Sequence, residues 1–397
     1  MRVLMLTAEY PPQAGGVGDY TAALAGALAA QGVAVAVLTG VGGADKTGAF
    51  PVWRRVRGWG RKLRPDVQAA LAEWQADVLH IQYQTGAYQM KFAINLLPSR
   101  LHVPTVVTLH DLRMPYLAPK VAPLRRYVTR LLLESCRTVI VTNAEDQARL
   151  AGIAPPTDDS DIYALAQPLV PAPLLIPIGI NIAVQPLQDR AALRERLGMA
   201  ADGTLVAYFG LLNRSKGVHL VVEALRYLPT TTHVLVIGGS AITPEDRTYA
   251  DEVQQTIARF DLAARVHSTG YLRAEDVSRM LHAADMAALP FSDGASYRRG
   301  SLLATLAHGL PTITTPSHVP IEPPLRDEHE ALLVDADDPI TLALAIERLS
   351  TEPALHARLA TASRRVADLF RWEAIAAHHR DVYASLGIRD SGKGIRG

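Results

Sequence analysis

The sequence predicts an α/β protein of two doubly wound parallel-sheet domains, and three observations predict it. The chain has 397 residues, too many for one ordinary hydrophobic core. Short β-branched runs alternate with amphipathic helical patterns, as in parallel sheets covered by helices on both faces. The alternation halts in a proline-rich passage and then begins again.

In the first half, residues 3–7, 34–39, 78–82, 105–109 and 138–142 read as buried strands, with helices over 18–31 and 124–136. Residues 155–186 carry the acidic tract TDDSD and the segment QPLVPAPLLIPIG. Proline excludes a long helix or a central strand there, so the passage reads as surface loop running into the linker. Strands follow at 205–209, 232–237, 265–268, 286–289, 311–314 and 331–334, with helices at 217–228, 248–260, 274–283 and 301–308. Two such Rossmann-like sheets are expected to face a ligand cleft with the carboxyl ends of their strands. The last residues, SLGIRDSGKGIRG, read as a frayed terminus.

Composition narrows the function. A formal net charge of +1 argues against nucleic acid as a partner. The single cysteine, Cys136, excludes a disulfide framework and reads as a buried small hydrophobe. MRVLMLTAEYPP is too short an apolar run for a signal peptide, and no window reaches the length of a membrane span. A cytoplasmic protein is expected, with possible contact at the inner face of a membrane.

Four motifs carry the chemistry. In PPQAGGVGDY, after the first strand, Gly15 and Gly16 can take positive φ, and free N–H groups at the helix start favour an anion; an ordinary glycine turn is the competing reading. TVVTLHDLR ends a strand in His110 and Asp111, where an imidazole can donate to a sugar hydroxyl or phosphate or simply close the strand; His80 reads as support. In AYFGLLNRSKGVHLVVEA, Lys216 and Gly217 lead into a helix, and a cation there opposes the dipole and calls for an anion, with Arg214 as a second cation. The spacing is not that of a P-loop. Finally, LPFSDGASYRRGSLLATLAHGLPTITT places Arg298, Arg299, Gly300 and Ser301 at a helix start, as a phosphate clamp or as solvated loop charges.

At these residues the chain resembles the retaining glycosyltransferases of family 4, which have the GT-B fold. The likeness is collinear through EYPPQAGGVGDY, VLHIQY, VVTLHD, LIPIGIN, YFGLLNRSKGVHLVVEAL, VLVIGGS, VHSTGYL, AHGLPTITT and EALLVDADDP to the terminal FRWEAIAAHHRDVYASL. It implies an acceptor domain over residues 1–183 joined by a crossover helix at 371–387, and a donor domain over 184–370. It implies transfer of a sugar from a nucleoside-diphosphate sugar to a sugar, lipid-linked or small-molecule acceptor, with no bound metal or other cofactor. By position, Gly15 and Gly16 would meet the diphosphate, His110 the donor sugar, and Lys216 the leaving group. Gly217, Gly294, Arg214, Arg298, Arg299, Gly300 and Ser301 would complete the donor site, with the nucleobase near Gly239 and Tyr271.

The sequence departs from the family where two glutamates are usual. Counting back from Gly309 puts Ser296 and Ala304 in those places; counting forward from Pro290 puts Asp293 in the first, as a contact to the donor sugar. Leu211 and Asn181 replace a usual arginine and aspartate. The stretch PVWRRVRGWGRKLR, with Arg54, Arg55, Arg57, Trp59, Arg61 and Lys62 and no acid, reads either as a surface for an anionic or lipid-linked acceptor or as a strand and helix with a solvated basic face. The missing glutamates keep two alternatives open: a binding protein without turnover, and a sugar-nucleotide epimerase or sugar phosphorylase on the same fold.

Overall fold

The computed structural model describes residues 1–13, 15–111, 122–152, 172–186, 190–200, 202–239, 243–335 and 337–386. The chain forms two compact units, residues 1–179 with 372–397, and residues 180–371. The expected junctions at 183/184 and 370/371 therefore fall at 179/180 and 371/372.

The first unit runs β1 (Arg2–Leu6), α1 (Gly16–Ala30), β2 (Ala34–Gly40), β3 (Val52–Val56), α2 (Leu63–Trp74), β4 (Val78–Tyr83), β5 (Thr105–Leu109), α3 (Ala122–Ser135), β6 (Thr138–Val141), α4 (Ala144–Leu150) and β7 (Leu174–Leu175). Its strands form one sheet in the order β3-β2-β1-β4-β5-β6-β7, every neighbouring pair parallel. β1 is apolar after Arg2, and β4 is buried at every residue, His80 and Gln82 included, because both faces are covered. The chain's final helix, Trp372–Ser385, returns to this unit, packing Ile375, Ala376 and Tyr383 with Tyr20, Leu24 and Leu28 of α1.

The second unit runs α5 (Arg190–Arg196), β8 (Thr204–Gly210), α6 (Val218–Ala224), β9 (Thr232–Gly238), α7 (Pro244–Arg259), β10 (Val266–Ser268), α8 (Ala274–Ala283), β11 (Met286–Leu289), α9 (Gly300–Ala307), β12 (Thr312–Thr314), β13 (Leu332–Leu333), α10 (Pro339–Thr351) and α11 (Pro353–Asp368). Its sheet has the order β10-β9-β8-β11-β12-β13, again all parallel. In each sheet the order reverses beside the first strand of the unit, and that switch opens a crevice at the carboxyl ends of the strands.

Three local features differ from the sequence reading. α7 starts at Pro244 rather than 248, because Thr243 and Asp246 form a reciprocal capping box. Within the passage read as loop, Leu174 and Leu175 pair with Ile140 and Val141 as an edge strand; residues 155–171, with the acidic tract, lie outside the described residues. Ala304, the position counted as a missing glutamate, is fully buried among Leu205, Ala207, Ala287 and Leu310.

Restoring an acid at Ala304 should therefore fail as a repair. Ala304→Glu would bury an unpaired carboxylate and is expected to cost about 3 kcal/mol or more. Urea unfolding followed by circular dichroism measures this, and an unchanged midpoint would contradict the placement of Ala304 in the core.

Candidate functional site

In the second unit the candidate residues converge at the carboxyl ends of β8 and β11. Asn213 caps a short 3-10 turn, Arg214–Lys216, by accepting from the Ser215 N–H at 3.0 Å. Gly217 follows at φ 73°, and a Cβ there would run into the Pro290 carbonyl, so glycine is required where α6 starts against the end of β11. The Ser292 N–H donates to the Ser215 carbonyl at 3.1 Å and ties the two loops together. Gly294, at φ 80°, is pinned in the same way, with a Cβ position 2.8 Å from the Pro316 carbonyl oxygen.

This backbone places two cations over one aromatic ring. Arg299 Cζ lies 4.1 Å from the Phe291 centroid and Lys216 Nζ 5.4 Å from it. Asp293 ion-pairs with Arg299, whose side chain is 11% exposed. Burial, then repulsion from Arg299, pulls the Lys216 ammonium down to about 8, against the opposing pull of Asp293. One carboxylate thus serves two cations. Arg299 is also the N-cap residue of α9, whose first turn has no side-chain cap, so its N–H groups open beside the same charges. Gly300 is exposed and Ser301 half-buried at that turn.

Several other expected donor contacts are placed elsewhere. Arg214 pairs with Glu252 and stacks over Tyr249 at 5.1 Å, so it is held on α7 rather than added to the Lys216 cluster. Arg298 is exposed beside the cluster, its N–H donating to Ser296 Oγ at 3.3 Å. The Gly239 N–H already donates to the Gly210 carbonyl at 2.8 Å, and Tyr271 projects into solvent, 83% exposed.

In the first unit, Gly15 and Gly16 do not take the positive φ expected of them. Gly15 is extended, at φ 170°, and Gly16 begins α1. A Cβ on Gly15 would displace the Glu9 carboxyl group, the flexible end of that side chain. A Cβ on Gly16 would meet open space, which leaves its backbone approachable. Glu9 is raised from its usual range by burial and then by Asp19, so two acids already attend this helix start and the loop is less anion-friendly than its glycines suggest.

His110, just beyond β5, is half-buried and edge-on to Tyr20 at 4.7 Å. Its Nε2 donates to Gln82 Oε1 at 2.8 Å, which leaves Nδ1 as the acceptor. Burial, then the neighbouring His379, holds the ring neutral, down to about 3. Gln82 is a functional residue the sequence reading missed, although its alternation with His80 on β4 puts both on one face. His80 is fully buried and bonds Tyr383 at 2.6 Å and Thr108 at 2.8 Å, which makes it a lock for the final helix.

The basic stretch 51–64 buries its two tryptophans and Arg54 and exposes Arg55, Arg57, Arg61, Lys62 and Arg64. Trp59 is 7% and Trp53 8% exposed, both in the core. Arg55 pairs with Asp45 and Glu73, each at 2.7 Å, and Arg57 with Asp66 at 2.5 Å, so acids distant in sequence neutralise them. Arg61 and Lys62 are exposed. Arg54 is buried, and its guanidinium donates to the Pro11 carbonyl. Among the described residues, no group of three or more His, Cys, Asp or Glu could hold a metal ion, and no helix is long and apolar enough to cross a membrane.

Two measurements check these environments. A buried lysine with a lowered pKa destabilises the ligand-free fold below pH 8, where it is charged in both states; the penalty fades as pH rises towards 10.5, where the unfolded chain also loses the proton. Lys216→Met should thus unfold at a higher temperature than wild type at pH 7, the difference closing by pH 10.5, as calorimetry can follow. Gln82→Glu should raise the His110 pKa by putting a carboxylate on Nε2; the ring's NMR shift should then titrate between pH 5 and 8, whereas in wild type it stays flat there.

Known proteins share these features. A model of the glycosyl transferase 4-like domain matches residues 15–159, and a model of glycosyl transferases group 1 matches residues 203–352. The D-inositol 3-phosphate glycosyltransferase of Xylanimonas cellulosilytica is 27% identical over 81% of this chain and 75% of its own length. The alpha-maltose-1-phosphate synthase of Mycolicibacterium smegmatis is 26% identical over 97% of this chain and all of its own. Among solved structures, sucrose-phosphate synthase from Thermosynechococcus elongatus has a TM-score of 0.71 at 22% identity, over 98% of this chain and 99% of that one. Anabaena HepE in complex with UDP and glucose has 0.68 at 18% identity, over 97% and 100%. Against these likenesses the binding-only, epimerase and phosphorylase alternatives are not favoured. The chain belongs to the family 4 glycosyltransferases of GT-B fold, and it is a glycosyltransferase.

Proposed function

We propose that the chain moves a sugar from a nucleoside-diphosphate sugar to a sugar, lipid-linked or small-molecule acceptor with retention of anomeric configuration. The observation that carries this reading is the pair Lys216 and Arg299 on the face of Phe291, beside the uncapped start of α9 and short of one carboxylate. A diphosphate supplies the missing negative charge. In the transfer step the bond from anomeric carbon to phosphate oxygen breaks, its electron pair stays on the oxygen, and the acceptor hydroxyl forms the new bond and gives its proton to the departing phosphate. Charge therefore grows on the leaving diphosphate, and fixed cations in a partly desolvated site stabilise that state more than the bound substrate.

The remaining residues follow from their placement. The start of α9, with Gly300 and Ser301, would hold the phosphates through backbone N–H groups. His110, neutral and presenting Nδ1, would accept a hydrogen bond from a donor hydroxyl, and the open side of Gly16 would let the backbone approach the phosphates. Lys216 and Arg299 would provide the neutralisation for which other enzymes use a divalent cation, so no metal is invoked. HepE was solved with UDP and glucose, and that supports a nucleotide-sugar donor for this relative of the same fold.

The test is turnover of a panel of UDP-, GDP- and ADP-sugars, with products and their anomeric configuration read by NMR. Lys216→Ala and His110→Ala should each lower turnover, Lys216→Ala by about 100-fold, the scale of losing one preorganised charge. Calorimetry showing that the chain binds no nucleotide sugar would sink the proposal.

A further inference from the structure

A cavity of about 480 Å³ opens at the carboxyl ends of β1, β2 and β3, wholly within the first unit, with Gln13, Thr39, Gly42, Arg54, Trp59 and Gln89 on its wall. Its size is that of an ordinary small-ligand pocket. The described residues that line it include no carboxylate. Arg54 is 9% exposed, yet among the described residues no acid reaches its guanidinium: its side-chain bond is to the Pro11 carbonyl, and Tyr10 lies 5.9 Å from its Cζ. Asp45 is close by but is spent on the Arg54 backbone N–H at 2.8 Å and on the Arg55 side chain at 2.7 Å. The neighbouring arginines, Arg55 in the strand and Arg57 just beyond it, are paired with acids. A nearly buried guanidinium on the wall of a cavity, contacted by no carboxylate of the described residues and balanced only at longer range by Asp45, gains from an occupant that brings negative charge.

We infer that this cavity is an acceptor subsite and that Arg54 receives an anionic group on the acceptor, a phosphate or a carboxylate. The inference rests on the transferase reading above and deepens it by naming the acceptor class. Guanidinium forks bind both groups in two-point fashion, which also orients the acceptor. The apolar side of Trp59 and the side chains of Gln13, Thr39 and Gln89 offer a sugar or polyol face the contacts that an anion alone does not use.

The experiment is a calorimetric titration of glucose 6-phosphate, glucuronate and glucose into wild type, Arg54→Met, Gln89→Glu, Lys216→Met and Arg61→Met. Wild type should bind the charged probes more tightly than glucose, on the order of 10-fold or more, as a charge-assisted contact gives. Arg54→Met should erase the preference. Gln89→Glu, which keeps Arg54 and adds a carboxylate to the same wall, should do likewise without lowering the unfolding temperature, so a fold defect cannot account for the loss. Lys216→Met should keep the preference, since its cations belong to the other unit, and so should Arg61→Met. Phosphatidate-containing vesicles distinguish sources: pelleting that needs Arg54 assigns the phosphate to a lipid-linked acceptor, and its absence, with the probe preference intact, to a soluble one. Equal binding of charged and neutral probes by wild type, or a preference that survives both Arg54→Met and Gln89→Glu, overturns the inference. Donor hydrolysis without acceptor keeps the two readings separate, because its loss in wild type counts against the transferase reading, whereas hydrolysis with no charge preference counts only against this subsite.

Discussion

The second unit depends on one imbalance: two cations over one aromatic ring and a single carboxylate between them. Phe291 is 1% exposed and fixed at the end of β11, so it cannot move away from Lys216 and Arg299. Gly217 against Pro290 and Gly294 against Pro316 bring the two loops into backbone contact and set the spacing of the charges. Burial first, and repulsion from Arg299 second, depress the Lys216 ammonium at that spacing. Stability is given up here for a charge that a ligand can use, as is common at functional sites.

The first unit handles its polar residues in the opposite way. Tyr20, His80, His110, His379 and Tyr383 form a dry network in which burial keeps the imidazoles neutral. His379 Nδ1 donates to the Ile375 carbonyl at 2.8 Å, and its Nε2 faces the Tyr20 hydroxyl at 3.4 Å, so this ring, like His110, has a fixed donor and acceptor side. The final helix contributes Tyr383 and His379 to this network, so the position of His110 depends on residues more than 260 places away in the sequence. A neutral, oriented imidazole in one unit and two cations sharing a single carboxylate in the other are two separate electrostatic preparations.

Much of this was legible in the sequence, because a parallel sheet covered on both faces leaves apolar runs that periodicity can find. Strand 105–109 and helix 274–283 were read to the residue, and most others to within one or two. What escaped had physical causes. β7 is two residues on a sheet edge, where flanking prolines are tolerated and no apolar run forms. The start of α7 lay in a cap, Thr243 with Asp246, rather than in its apolar face. The motifs of Lys216 and Arg299 gave no sign that both lie over Phe291, and that of Arg214 none that Glu252 and Tyr249, farther along the chain, hold it on α7. The basic stretch looked unopposed for the same reason: Asp45, Asp66 and Glu73 lie outside it in sequence and against it in space.

The positions where the family's acids are usual have other physical roles in this chain. Ala304 faces the sheet, so α9 has committed that face to the core, and no acid can return there without an apolar partner giving way. Asp293 survives, but Arg299 holds its carboxylate, so its negative charge is spent within the protein rather than on a ligand's hydroxyls. Without Asp293, Arg299 would be unopposed and Lys216 would lose the one influence that holds its proton on. Asp293 thus sets how much positive charge the loop presents, while Phe291 sets where it is presented. In this loop the one acid tempers the cations, pairing with Arg299 and opposing the fall of Lys216.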